Sequence, residues 1–345
     1  MLPTPWLVTI AAIGAAGGAE PEMCTRILYQ SGANDVIGGR SMDWAEDTRT
    51  NLWSFPRGMA RDGAAGPGSI QWVANHGSVI ATIYDVATVD GMNDAGLVGN
   101  ALYLAESDYG AAPREGQDLI SVGAILQYAL DMFGTVADAA EWYAQDSVHI
   151  VAPPLPGGKA ASGHLALSDP SGDSAVIEYL DGRPVVHHGA QYTVMTNSPT
   201  YDQQLAITDY WKTVGGMAFL PGTNRAADRF ARASFNLNAT PHFGDARTAL
   251  AAVLSQVRSV SVPLGIADPE RPNIASTIWR SVTDHSRRRY YYDSALNPSV
   301  FWVDVDKLNL AEGAPVGRLW LEDHPILAGE VSAQFAPAEP FAFLG

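Results

Sequence analysis

The chain has 345 residues, 47% hydrophobic and 17% charged, which excludes a disordered protein and gives enough length to bury a large core. Its 37 acidic and 21 basic residues leave a net charge of -16, which argues against nucleic acid and anionic membrane surfaces as partners. With one cysteine, neither an internal disulfide nor a thiolate metal cage can form.

Residues 1–22 contain the apolar run Trp6-Leu7-Val8-Thr9-Ile10-Ala11-Ala12-Ile13 followed by small residues, which resembles an export leader although no Lys or Arg precedes Arg26. The run is too short to span a bilayer, so no stable membrane anchor is expected. Residues 1–23 read as a segment that is removed, and 24–345 as a single domain, because no repeat or interior linker divides it. Removal after export places the protein in the periplasm or medium; translation from Met23 with loss of that methionine would place it in the cytoplasm.

From Cys24 to Leu28 the sequence alternates as a strand, the cluster Ser31-Gly32-Ala33-Asn34-Asp35 turns it, and Val36 to Arg40 returns as its partner. In this hairpin the far strand passes beside the chain start, so Arg40 and Asp43 can reach Cys24. Further strands are predicted over Ile70–Val73, Ser78–Tyr84 and Leu97–Leu104, the last two flanking a turn at Asp90-Gly91-Met92-Asn93. Helical spacing predicts a helix over Leu119–Phe133, and the capping pattern Thr135-Val136-Ala137-Asp138 opens a second. A strand meander follows over His164–Leu167, Ser174–Leu180 and Pro184–His187, with Asp181-Gly182 as a hairpin turn. Helices over Ala226–Leu237 and Asp245–Val257 precede closing strands at Ser276–Thr283, Arg289–Asp293 and Ser299–Val305. Two antiparallel sheets covered by helices on their outer faces, an α+β sandwich with α/β/β/α layers, account for this order.

The lone thiol stands where the apolar leader ends. If the preceding residues are removed, Cys24 carries a thiol and a free α-amine, and these titrate near about 8.5 and 7.7–8.0 respectively. The amine can take the thiol proton and later return it to a leaving amine, so one residue supplies nucleophile, base and acid. The expected fold is therefore that of an N-terminal nucleophile (Ntn) hydrolase. The plain alternative is a buried strand cysteine.

Several blocks together resemble the choloylglycine hydrolase family, which contains penicillin V acylases and bile salt hydrolases. They are Met23-Cys24-Thr25-Arg26, Gly39-Arg40-Ser41-Met42-Asp43-Trp44, Gly91-Met92-Asn93-Asp94-Ala95-Gly96-Leu97, Thr196-Asn197-Ser198-Pro199-Thr200-Tyr201 and Ala227-Asp228-Arg229-Phe230. The resemblance runs from Cys24 to about Trp320 and keeps the family's order and spacing. It implies that Cys24 is the nucleophile, that Arg40 and Asp43 are its electrostatic partners, and that Asn197 and Arg229 complete the polar site. Asp43 would hold the α-amine, the two arginines would favour thiolate, and the Asn197 amide would donate to an oxyanion, a contribution of about 3–4 kcal/mol. Tyr103 falls where the family places a second oxyanion contributor through its backbone, with Asn100 as the rival. Taken singly, these residues also read as a surface ion pair, a turn asparagine and a solvated helix arginine.

Trp44, Trp53, Phe55 and Tyr84 lie near these positions and suggest an apolar acyl pocket, with ordinary core packing as the alternative. The reaction implied is hydrolysis of a linear amide of an apolar acid. The segment Asn51 to Met59 and the leader resemble exported Gram-negative members, whose substrates are phenoxyacetyl penicillin and long-chain acyl homoserine lactones; conjugated bile salts are the alternative. A non-catalytic protein that binds an acyl ligand, and a thiol redox protein, are readings of other classes, the second weak without a resolving cysteine. No cofactor or metal is expected, since the histidines show no helical pair and Asp304 and Asp306 lack the rest of a calcium loop. Relatives form homotetramers, and the strand edges would allow one here.

Overall fold

A computed structural model describes residues 24–215, 218–266 and 275–345, so the leader expectation for residues 1–23 lies outside the described residues. Two large sheets lie face to face. The first orders its strands as Val194–Met195, Thr25–Gln30, Val36–Trp44, Ser276–Asp284, Arg289–Ser294, Phe301–Asp304 and Gly329–Glu330. The second runs Arg183–His188, Ser174–Leu180, Gly163–Ser168, Val98–Tyr103, Ala87–Asn93, Ser78–Ile83, Leu52–Phe55, Gly317–Leu319 and Ala336–Pro337. All pairings within them are antiparallel except the parallel edge between Phe301–Asp304 and Gly329–Glu330.

The helices are α1 (Ile125–Met132), α2 (Val136–Ala144), α3 (Tyr201–Thr213), α4 (Ala226–Ala239) and α5 (Ala246–Ser259). Helices α1 and α2 cover the nine-stranded sheet, α4 and α5 cover the seven-stranded one, and α3 packs on α4. The expected α/β/β/α layering is therefore present.

Period-two alternation sorts the core into its layers. Val79, Ala81, Val98 and Val176 point into the space between the sheets, whereas Ile80, Leu97 and Ile177 join the cluster under α1 and α2. The same rule decides the aromatic strand Leu52–Phe55: Leu52 faces inward, and Trp53 and Phe55 face the outer cluster. Where α5 meets the chain-start hairpin there is no room for a side chain. A Cβ on Gly39 would lie 2.4 Å from the Val257 side chain and 2.9 Å from that of Val253.

Several expectations need correction. The segment containing Asp90-Gly91-Met92-Asn93 is the buried strand Ala87–Asn93, and the turn comes after it, at Asp94-Ala95-Gly96. Gly91 serves close packing there, since a Cβ would lie 2.6 Å from Ile80 and 3.0 Å from the Leu130 side chain of α1. The helix expected over Leu119–Phe133 begins only at Ile125, because Asp118–Ser121 pairs in parallel with Val148–Val151. Helix α3 was not expected from the sequence. The other signals correspond to real elements: Thr135 caps α2 by accepting from Asp138 N, and Asp181 and Gly182 turn their hairpin at φ 52° and 72°.

The core contains a pH-sensitive group. His285 is buried, its Nδ1 donates to the Thr283 carbonyl at 3.3 Å, and its Nε2 accepts from the Ser168 hydroxyl at 3.0 Å. Burial, with the nearby Arg26 charge, lowers its pKa from 6.5 to about 4. Between those values the unfolded chain binds the extra proton, so stability is full above pH 6.5 and is lost as pH falls toward 4. This group's share is about 3 kcal/mol. His285→Gln should remove that share of the acid loss when urea unfolding is compared at neutral and acid pH; an unchanged pH slope would show that the site does not carry it.

Candidate active site

The hairpin places Cys24 at the inner edge of the seven-stranded sheet, with Arg26 opposite Arg40 and Thr25 opposite Ser41 in the register. Arg40 and Met42 share the inward face with Cys24, as alternation requires. The Arg40 Nη2 group lies 3.8 Å from the Cys24 sulfur, 3.3 Å from Met42 Sδ and 3.2 Å from the Ala101 carbonyl. Its Nη1 donates to Asp90 Oδ2 at 3.1 Å, and the guanidinium lies 4.6 Å from the centre of the Trp279 ring.

Asp90 is fully buried in the opposite sheet and accepts three further bonds, from Asn100 Nδ2 at 3.0 Å, Ser281 Oγ at 3.1 Å and Tyr290 OH at 2.9 Å. Arg40, Ser281 and Tyr290 sit on three neighbouring strands of the sheet that carries Cys24, so one carboxylate ties the two sheets together across the site. Sequence reasoning took Asp90 for a turn residue. Its partner Arg40 is 50 residues away, and no local pattern announces the pair.

On the other side, α4 delivers Arg229. Its Nη1 donates to the Cys24 carbonyl at 2.6 Å and to the Thr25 hydroxyl, while Nη2 donates to Asn197 Oδ1 at 2.9 Å. The Cys24 nitrogen donates to the same Asn197 oxygen at 2.6 Å, and Asn197 Nδ2 donates to the Tyr103 carbonyl at 2.7 Å. Asn197 is itself fixed by its surroundings. His164 Nε2 lies 2.8 Å from the Thr196 carbonyl and its Nδ1 3.2 Å from Glu178, the Gln204 side chain donates to the Asn197 carbonyl, and Glu178 accepts from the Tyr201 N–H that opens α3.

Asp43 is held by its own set of partners. Its Oδ1 accepts from the Thr277 hydroxyl at 2.5 Å, and its Oδ2 lies 3.4 Å from Ser41 Oγ and 3.9 Å from Arg229. Its backbone carbonyl approaches the Cys24 sulfur at 3.9 Å, and the peptide nitrogen of Cys24 in the full-length chain donates to Asn197. Residue 43 is three positions past Arg40 on the strand, so its side chain turns toward α4.

Burial dominates the electrostatics. It pushes the Cys24 thiol above its ordinary value; the Arg40 charge opposes that and the Asp43 charge adds to it. Burial likewise raises the Asp43 carboxyl against the pull of Arg229 and Thr277, and lowers Arg229. Burial thus disfavours ionisation of the sulfur.

Beside the sulfur lies a small, mostly apolar cavity of about 80 Å³, with Trp44, Tyr103, Leu155 and Leu344 among its walls. Tyr103 is thus at the cavity, whereas Asn100 is turned onto Asp90. Pairing of the Tyr103 strand with Ala87–Asn93 stops at Asn100 opposite Asp90, and beyond it the Ala101 carbonyl reaches Arg40. Backbone alternation directs the Tyr103 N–H to that same side.

Of the expected aromatic lining, Trp44 is a wall and Tyr84 stands behind it, accepting from Trp44 Nε1 at 2.8 Å. Trp53 and Phe55 are not walls. They lie on the outer face of their strand, where the Trp53 indole donates to Asp85 at 2.9 Å and Arg61 lies 4.1 Å from the centre of the Phe55 ring.

The sequence model of the linear amide C–N hydrolases of the choloylglycine hydrolase family matches residues 24–317. The chain belongs to that family. It is similar to the penicillin V acylase of Pectobacterium atrosepticum, with 45% identity covering 95% of this chain and 94% of that one. A solved penicillin V acylase from Agrobacterium tumefaciens superposes with a TM-score of 0.87 at 49% identity, covering 93% of this chain and all of that one. A conjugated bile acid hydrolase mutant from Clostridium perfringens shares the fold at a TM-score of 0.73 and 21% identity, covering 86% and 96% of the two chains. The protein is thus an amidohydrolase acting on linear amides with the Ntn hydrolase fold, which displaces the reading as a non-catalytic acyl binder. Among the described residues no helix is long and apolar enough to cross a membrane, and no cluster of three or more His, Cys, Asp or Glu could hold a metal ion.

Proposed function

We propose that Cys24 becomes the first residue of the mature chain and that the enzyme cleaves the phenoxyacetyl side-chain amide of penicillin V, with long-chain acyl homoserine lactones as related substrates. The observation that carries this reading is the buried thiol itself: among the described residues its hydrogen-bond partners are Arg40, Met42 Sδ and the Asp43 carbonyl, with no histidine among them. A thiol raised by burial needs a proton acceptor beside it, and its own α-amine is the group in reach. Identity of 45–49% to penicillin V acylases supports the substrate class, and the apolar cavity supports an apolar acyl group.

The steps then balance. The amine takes the thiol proton, Sγ attacks the amide carbon, and the oxyanion is met by one N–H of Asn197 Nδ2 and by the Tyr103 backbone N–H. Asn197 Nδ2 has two hydrogens, and only one is needed for the Tyr103 carbonyl. The C–N bond breaks as the ammonium returns its proton to the leaving nitrogen. Water attacks the thioester, the same amine acting as base, and the acid departs. Arg229 keeps the Cys24 carbonyl and Asn197 in register throughout, and export with leader removal provides the mature end.

The test joins intact mass to substrate profiling on protein made from its full reading frame. A chain beginning at Cys24 that hydrolyses penicillin V well above conjugated bile salts is the expected result. Full activity in a chain beginning before Cys24 would overturn the nucleophile reading. Preference for bile salts would overturn the substrate.

A further inference from the structure

The family match ends at residue 317, yet the chain beyond it returns to the cavity, where Leu344 forms part of the wall. Its N–H donates to the Val86 carbonyl at 2.7 Å, and its own carbonyl accepts from the Ser121 hydroxyl. Its neighbours lock the approach from the other side of the sheet. Phe341 lies 5.4 Å from the Trp53 ring and 5.9 Å from Phe55, Phe343 lies 5.2 Å from Phe341, and Arg61 lies 5.7 Å from the centre of the Phe343 ring. Phe341 and Phe343 thus join the outer apolar cluster while Leu344 joins the inner one.

The position of Leu344 along the cavity follows from strand geometry. The Val89 carbonyl lies 3.4 Å from Arg40 Nη1, and the Nη2 of that guanidinium reaches the Cys24 sulfur. Val86, which holds Leu344, is three residues back along the same chain, a distance of about 10 Å at roughly 3.3 Å per residue. Leu344 therefore stands at the end of the cavity remote from the thiol, beside Ile83, Ala87 and Val122.

We propose that Leu344 closes the deep end of the acyl pocket and sets the longest acyl chain the enzyme accepts, an inference that rests on the reading of Cys24 as the nucleophile. Its isobutyl group occupies space that a longer acyl chain would need. Specificity is then carried partly by a segment outside the stretch matched by the family model.

The experiment uses the processed enzyme, penicillin V and straight-chain N-acyl homoserine lactones from hexanoyl to dodecanoyl. Leu344→Ala should raise the ratio of kcat/KM for the longest over the shortest chain by about tenfold, and Leu344→Phe should lower it by a similar factor. Thermal melting reports whether each variant is folded; if the alanine variant is not, the phenylalanine variant carries the test through loss of the longest chains alone. Equal changes on every chain length, or none, with hydrolysis otherwise intact, overturn the assignment of Leu344. If the unaltered, processed enzyme cleaves none of these amides, the substrate reading fails, and this one with it.

Discussion

Cys24→Ala is expected to lower penicillin V hydrolysis by on the order of a million-fold, the scale seen when a covalent nucleophile is removed from a preorganised site. The fold should survive. The substitution removes one buried atom, a cost of about 1 kcal/mol, and Arg40 Nη2 keeps the Ala101 carbonyl as acceptor. Asn197, Arg229 and the cavity walls keep their places, so substrate should still bind, and the fluorescence of Trp44 in the cavity wall reports it. Cys24→Ser tests the other half of the argument, because a hydroxyl holds its proton far more tightly than a thiol and should restore only a small part of the rate. The measurement is steady-state hydrolysis on protein whose chain start is confirmed by mass. A residual rate above one hundredth of the original in the alanine variant would show that another group attacks the amide.

The second large effect is on stability. Asp90→Ala should destabilise the protein by about 3–5 kcal/mol, since it leaves Arg40 buried without its carboxylate and strips acceptors from Asn100, Ser281 and Tyr290. Arg40→Leu should cost a similar amount by stranding the Asp90 carboxylate. Their neutral combination, Arg40→Leu with Asp90→Leu, should cost much less than the sum, because a buried ion pair replaced by apolar groups forfeits little net energy. Activity should be lost in all three. Urea unfolding gives the three free energies, and additive single effects would sink the idea that these residues act as one unit.

What the sequence disclosed was mostly local. The hairpin from Thr25 to Trp44 was legible because alternation and a turn cluster coincide within 20 residues, and the caps at Thr135 and Asp245 signal α2 and α5 in the same way. Asp90-Gly91 was misread because the pair that usually marks a turn is here demanded by distant partners: Arg40 across the sandwich, and Leu130 over the glycine. Trp53 and Phe55 were placed near the cavity by proximity in sequence, but the two-residue period of their strand turns them away from it. Helix α3 has few buried apolar positions, only Tyr201, Gln204 and Thr208 being buried, so its apolar period is too weak to read. Tyr103 and Asn197 were found through the family motif; the contact between them spans 94 residues and no spacing rule anticipates it.

The three-bond crossing at Asp90 has a consequence for motion. Two stacked sheets most easily deform by sliding over one another, a shear that would carry Cys24 past the strand bearing Tyr103. With one carboxylate pinned to three strands of the facing sheet, that slide would break every bond at once, so the two halves of the site travel together as a rigid frame. Outside that frame, the cavity wall includes the loop that carries Leu155, which meets the frame through the Lys159 ammonium 4.9 Å from the centre of the Trp44 ring. Differences in acyl shape are then met at the cavity wall, while Cys24 and Tyr103 keep their separation.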